Sequence, residues 1–181
     1  MSLRHALLGL LSQSPSSGYD LLKRFDSSLA MVWPAQRSQV YGELGKLSEA
    51  GLIEVVSTGA RNRSEYGITD AGRAELRHWM TEPAAATPYR SAAVLRVFFL
   101  WTLPREEGAE YLKEFARRNQ QRNAGLGRLR DETPWRGDPV QVCEWLALEF
   151  GIRASEAAGL WGDWAAEQLA ERLDGPEEAT S

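Results

Sequence analysis

The sequence predicts a mainly α-helical chain in two parts, a small helix–hairpin–helix unit followed by an all-helical one. Two observations carry that prediction. Val40, Leu44 and Leu47 fall at i, i+4 and i+7, the apolar stripe of an amphipathic helix, and Gly51 follows where a left-handed residue can end it. Beyond residue 90, apolar residues recur at helical spacing through long stretches.

The elements justify themselves in order. Leu3, Ala6, Leu7, Leu10 and Leu11 make a helix face that should be mostly buried. Residues 14–18, Ser-Pro-Ser-Ser-Gly, read as a loop, and residues 19–29 as a second helix. There Tyr19, Leu22 and Phe25 or Asp26 keep helical spacing and Lys23 and Arg24 point outward. Trp33-Pro34 marks the break before the next helix, because proline suits a first turn and restricts the residue before it. After Gly51, residues 52–56 are strand-like and residues 59–62, Gly-Ala-Arg-Asn, have turn chemistry. Residues 65–69 form a second short strand with Tyr66 and Ile68 alternating. Thr69 or Asp70 can cap the helix at 71–80. Helix, hairpin, helix, with arginines at the hairpin tip, is the order of a winged helix-turn-helix with a small β-hairpin wing.

Such a unit needs a surface that suits DNA. Opposite Val40, Leu44 and Leu47 lie Ser38, Gln39, Gly42, Gly45, Lys46 and Glu49. Ser38 and Gln39 can hydrogen-bond base edges or phosphates, Lys46 can neutralise a phosphate, and the glycines permit close approach. Arg37 and Tyr41 flank the helix start, where backbone N–H groups favour phosphate. Glu49 opposes binding and belongs at the far end, outside the groove. Arg61 and Arg63 at the wing tip suit the minor groove or flanking backbone.

The spacing Tyr41-x-x-Leu44-x-x-Leu47-x-x-x-Gly51-Leu52-Ile53 follows Gly18-Tyr19-Asp20-Leu21 and precedes Tyr66-x-Ile68-Thr69-x-x-Gly72-Arg73. With the apolar helix at 3–11, these motifs resemble the PadR family of bacterial transcriptional regulators over roughly the first eighty residues. The resemblance implies a winged helix bound to double-stranded operator DNA as a homodimer, usually as a repressor. By position it places Ser38, Gln39 and Tyr41 on the recognition helix and Arg61 and Arg63 on the wing. Gly42 departs from many members, which carry a bulkier residue or proline there.

The net charge of −4 argues at first against a nucleic-acid protein. Residues 1–80, however, hold nine basic and eight acidic side chains, so the acidity sits in the second half. A DNA-binding part so weakly basic should lean on two copies binding together. Domain limits are expected at 1–82 for the winged helix, 83–90 for a Pro- and Ala-rich linker, 91–174 for a helical dimerisation domain and 175–181 for a tail. Residues 92–103 are apolar nearly all round and should be buried between other helices. Pro104 can start a polar helix to about residue 130, with Tyr111, Leu112 and Phe115 on one side and Arg117, Arg118 and Arg122 solvated. Residues 133–139 read as a loop. Residues 140–173 form a last helix with two apolar stripes, one holding Trp145, Leu148 and Ile152 and the other Leu146, Phe150, Ala157, Trp161 and Trp164. Ala154, Ala157, Ala158 and Gly159 would allow close packing. Two stripes exceed what one small chain can cover, which implies a second copy.

Five of seven tryptophans lie in this half. Trp101, Trp145, Trp161 and Trp164 are candidates to line an effector pocket, Trp135 being the fifth. The family resemblance makes a small aromatic effector the expected ligand, and packing at the interface is the alternative role for each ring. Nothing points to an enzyme or a cofactor. His5 and His78 stand apart, with His5 expected at the surface, and Cys143 is expected as a buried, inert thiol. A single cysteine, no signal peptide and an apolar run too short to span a bilayer make a cytoplasmic protein without membrane contact the expectation. The rival function is a winged-helix protein-interaction module without effector sensing.

Overall fold

A computed structural model describes residues 2–25, 36–59, 63–83 and 91–173. The chain divides into two compact units, residues 1–87 and 88–181.

In the first unit, α1 (Ser2–Gln13), α2 (Gly18–Arg24) and α3 (Arg37–Glu49) precede two strands, β2 (Ile53–Gly59) and β3 (Arg63–Ile68), and a helix, α4 (Asp70–Thr81). Leu7, Leu8, Leu11, Leu21, Phe25, Val40, Leu44, Leu47 and Ile53 form one core. The stripe expected on α3 is therefore the face that packs. Gly51 ends α3 with a φ of 68°, a conformation that costs glycine least.

The expected loop at 14–18 holds a third strand, β1 (Ser16–Ser17), and the sheet order is β1-β3-β2. Ser16 lies opposite Tyr66 and Ser17 opposite Glu65, so pairing with β3 supplies a strand that serine propensity does not announce. Ser17 also caps α2: its Oγ accepts from the Asp20 N–H at 3.2 Å and donates to Asp20 Oδ2 at 2.7 Å. Further expectations on α1 and α2 change. Tyr19 is exposed, and Leu21, Leu22 and Phe25 carry the buried face. Lys23 is exposed as expected, whereas Arg24 is only part-exposed and folds back to donate to Leu10 O at 3.3 Å and Ser16 Oγ at 3.3 Å. Residues 26–29 of the expected second helix and the Trp33-Pro34 break lie outside the described residues. His5 is buried, 7% exposed, because α4 packs over α1 and lays Trp79 and Glu75 upon it.

Thr69 closes the hairpin. Its N–H donates to Leu52 O at 3.1 Å and its hydroxyl to Gly51 O at 2.8 Å, while its Oγ1 accepts from Gly72 N–H at 3.1 Å as the cap of α4. Gly72 then passes so close to the strand start that a Cβ would lie 2.1 Å from Leu52 O.

The second unit holds α5 (Ala92–Phe98), a 3₁₀ turn (Leu100–Thr102), α6 (Arg105–Glu132) and α7 (Pro139–Leu173). Arg130 meets Glu149, Asn123 donates to Ile152 O at 2.8 Å, and Gln120 donates to Asp163 Oδ2 at 2.7 Å, a register that runs α6 and α7 antiparallel. The close seam is made by Gly159 and Gly162, whose Cβ atoms would lie 3.2 Å from Gln120 Cγ and 3.0 Å from Ala116 Cβ. Ala154 and Ala157, expected to share that role, are exposed. Arg118 Nε donates to Glu114 and, with Arg117 beside it, holds that carboxyl below the usual range on a solvated face.

The stretch 92–103 is not buried within the chain. Leu100 is buried against Leu112 and Ala166, but Val94, Leu95, Phe98, Phe99, Trp101 and Leu103 are exposed. Helices α6 and α7 pair chiefly with each other and leave most of this apolar face uncovered. Cys143 is likewise exposed rather than buried, on a face of α7 that nothing covers among the described residues.

Candidate nucleic-acid interface

Helix α3 presents its polar face as the spacing requires. Arg37, Ser38, Gln39, Tyr41, Gly42, Gly45, Lys46 and Glu49 are exposed while Val40, Leu44 and Leu47 are buried. The helix start is closed from both sides: Gln39 N–H donates to the Gln36 backbone carbonyl at 3.0 Å, and Gln39 Oε1 accepts from Gln36 N–H at 2.9 Å. That cap engages the Gln39 carbonyl, so its NH₂ is the group free to donate to a base or phosphate. Lys46 lies 3.4 Å from Glu43 on the same helix, an exposed pair that holds it only weakly.

Between these side chains the helix surface is bare. A Cβ built at Gly42 or at Gly45 meets nothing within 4 Å. Tyr41 has one side of its ring over Gly18 at the start of α2, where a Cβ would lie 2.6 Å from Tyr41 Cε1. Sequence spacing does not disclose that contact, because the partners are 23 positions apart.

The wing is a hairpin of β2 and β3 with Gly59 opposite Arg63 at the last described pair. Arg63 opens β3, and Arg61 lies outside the described residues. A bulge between Val55 and Ser57 leaves Val55 and Val56 both exposed, apolar positions that the alternation of residues did not single out. Val56 lies over Gly67, whose Cβ would come within 2.7 Å of Val56 Cγ1.

Within the second unit, the four candidate tryptophans do not form one cluster in a single chain. Trp161 is part-buried and meets Phe115 edge-on at 5.5 Å, and Trp164 lies one turn further on, exposed. Trp145 stands about 24 Å back along the same helix, too far to line one small-molecule site with Trp161. Trp101 is 79% exposed on the turn after α5. Among the described residues no group of three or more His, Cys, Asp or Glu side chains could hold a metal, and no helix is long and apolar enough to cross a membrane.

Comparison with known proteins places this geometry. Residues 7–78 match the transcriptional regulator PadR-like family and residues 89–170 match the virulence activator alpha C-terminal family. A Mycobacterium tuberculosis protein named as a probable transcriptional regulator is 32% identical over 188 residues, spanning 95% of this chain and all of that one. The negative transcriptional regulator PadR of Bacillus subtilis is 33% identical over 129 residues, 68% of this chain and 70% of that one. Its crystal structure with operator DNA superposes with a TM-score of 0.80 at 25% identity, over 93% of this chain and 99% of that one. The same protein with p-coumaric acid also gives 0.80 at 25%, over 94% and 100%. The Vibrio cholerae virulence activator AphA gives 0.76 at 30%, over 94% and 98%. The chain belongs to the PadR-like family of transcriptional regulators.

Proposed function

We propose that this chain is a cytoplasmic, sequence-specific regulator that binds operator DNA as a homodimer and represses transcription by occupying it. The observation that carries the reading is the exposed face of α3, where Arg37, Ser38, Gln39, Tyr41 and Lys46 surround a strip left bare at Gly42 and Gly45. A helix so stripped can sit deep in a major groove, with Arg61 and Arg63 of the wing reaching the minor groove or flanking backbone. The operator complex of Bacillus subtilis PadR supports DNA as the partner. Repression follows the negative regulator among the relatives, although AphA is named an activator.

The second copy is inferred from the uncovered apolar side chains of residues 91–174, including Phe98, Trp101, Leu146, Phe150 and Trp164. Residues 1–82 would then act as the DNA-binding domain and 83–90 as the linker. A small aromatic effector, chemically like the p-coumaric acid found in complex with Bacillus subtilis PadR, would bind where Trp101, Trp145, Trp161 or Trp164 of two copies gather. By changing the distance between two DNA-binding domains it would cost affinity at a doubled site. The exposed Val55 and Val56 favour the second reading, a wing that meets a protein.

Fluorescence anisotropy against duplexes selected from a random pool, titrated at several salt concentrations, tests the reading. Saturable binding as a dimer, falling steeply with salt and resistant to mixed-sequence competitor, supports it. A folded dimer that selects no duplex at low salt refutes it in favour of the protein partner.

A further inference from the structure

Gly18 opens α2 and is buried, and its missing side chain is the space that Tyr41 fills. A Cβ at residue 18 would lie 2.6 Å from Cε1, 3.2 Å from Cζ and 3.3 Å from Cδ1 of that ring, all inside ordinary carbon–carbon separation. One edge of the ring thus rests on the α2 backbone. The rest is open, with Tyr41 46% exposed and its hydroxyl without a hydrogen-bond partner among the described residues. A tyrosine on a free helix surface samples several rotamers; this seat removes part of that freedom before any ligand arrives.

Gly18 is itself held in place. Ser17 beside it pairs with Glu65, Ser16 pairs with Tyr66, and the Ser17 hydroxyl caps α2 at Asp20. The strand of the wing, β1, Gly18 and the Tyr41 ring are therefore consecutive neighbours. We infer that Gly18 is a positioning residue for DNA recognition: it seats the Tyr41 ring so that the phenol faces the nucleic acid in an orientation tied to the wing. The phenol supplies one hydroxyl donor and acceptor for a phosphate oxygen or a base edge. This role rests on α3 being the DNA-facing helix.

In Gly18→Ala the ring swings aside rather than the backbone yielding, because the atoms met are those of a side chain. Duplexes selected by the wild-type chain are titrated by anisotropy with Gly18→Ala, Tyr41→Ala and the double variant, each checked for folding by thermal melt. Gly18→Ala and Tyr41→Ala should each weaken binding roughly tenfold, and the double variant should bind no more weakly than Tyr41→Ala alone. The ratio of affinity for the selected duplex to that for mixed-sequence DNA should fall with Gly18→Ala, which a purely structural role would leave unchanged. Losses that multiply in the double variant, or Gly18→Ala binding within about twofold of wild type, overturn the role. Should Gly18→Ala not fold, the double variant, which lacks the opposing ring, is compared with Tyr41→Ala; equal affinity supports the seat and a further roughly tenfold loss overturns it. If the wild-type chain selects no duplex, the DNA-facing reading of α3 falls and the positioning role falls with it.

Discussion

His5 lies flat on Trp79, with ring centroids 4.5 Å apart and planes within 5°, and its Nε2 is 3.4 Å from Glu75 Oε1. The pair joins the first helix of the chain to the last helix of the winged unit. His5→Ala removes a stacked ring and a partner of Glu75 from a nearly closed site, and should cost about 2 kcal/mol in denaturant titration. A double-mutant cycle with Trp79→Ala should return a coupling of about 1 kcal/mol; additive losses would show that the rings merely touch.

Gly72 offers a sharper case. Its Cβ would fall 2.1 Å from Leu52 O and 2.8 Å from Ile68 Cγ1, so backbone as well as side chain blocks it. Gly72→Ala should destabilise the winged unit by about 3 kcal/mol, read as a lower denaturant midpoint. A midpoint unchanged from wild type would contradict the packing of α4 on the hairpin.

Gly42 and Gly45 predict the opposite sign for stability. Alanine meets nothing at either position and favours helix, so each substitution should stabilise the unit by roughly 0.5–1 kcal/mol. Affinity for the selected duplex should nevertheless drop, since the new methyl groups stand on the proposed groove face. Stabilisation with unchanged affinity would move the DNA contact elsewhere.

The wing and helix charges are checked by salt. With Arg61→Ala and Arg63→Ala together in both copies of the dimer, the slope of log affinity against log salt should become shallower by about 4, and Lys46→Ala should remove about 2 more. Slopes equal to wild type would show that these side chains do not neutralise phosphates.

Phe98→Glu and Phe150→Glu place charges on exposed apolar positions of the second unit, where Phe150 is 75% exposed. Sedimentation velocity should show a dimer for wild type and monomer for each variant, with helical content retained. A dimer that survives both substitutions would place its interface on another face.

Much of this was legible locally. The stripe of Val40, Leu44 and Leu47, a cap for α4 at Thr69 or Asp70 (Thr69 is the one used) and the antiparallel wing each follow from spacing within a few residues, as does the start of α6 after Pro104. What local spacing does not reveal depends on distant partners. Ser16 and Ser17 form a strand only because β3 arrives fifty residues later in the chain, and His5 is buried by residues seventy positions away. The exposed Cys143 and the uncovered apolar residues of α5 misled for a related reason: periodicity shows that a face is apolar, but not which molecule covers it. The proposed DNA face stands between these cases. Its exposed residues could be read from α3 alone, whereas the Tyr41 seat needed the position of Gly18.

The empty space over Gly42 and Gly45 bears on how such a regulator diverges. The core fixes neither position, so a lineage can grow side chains there one substitution at a time without repacking anything beneath. Under the proposed reading, operator preference is thereby separated from foldability: duplicated copies could acquire new target sites while keeping the same buried stripe and the same wing closure, with no loss of stability to repair.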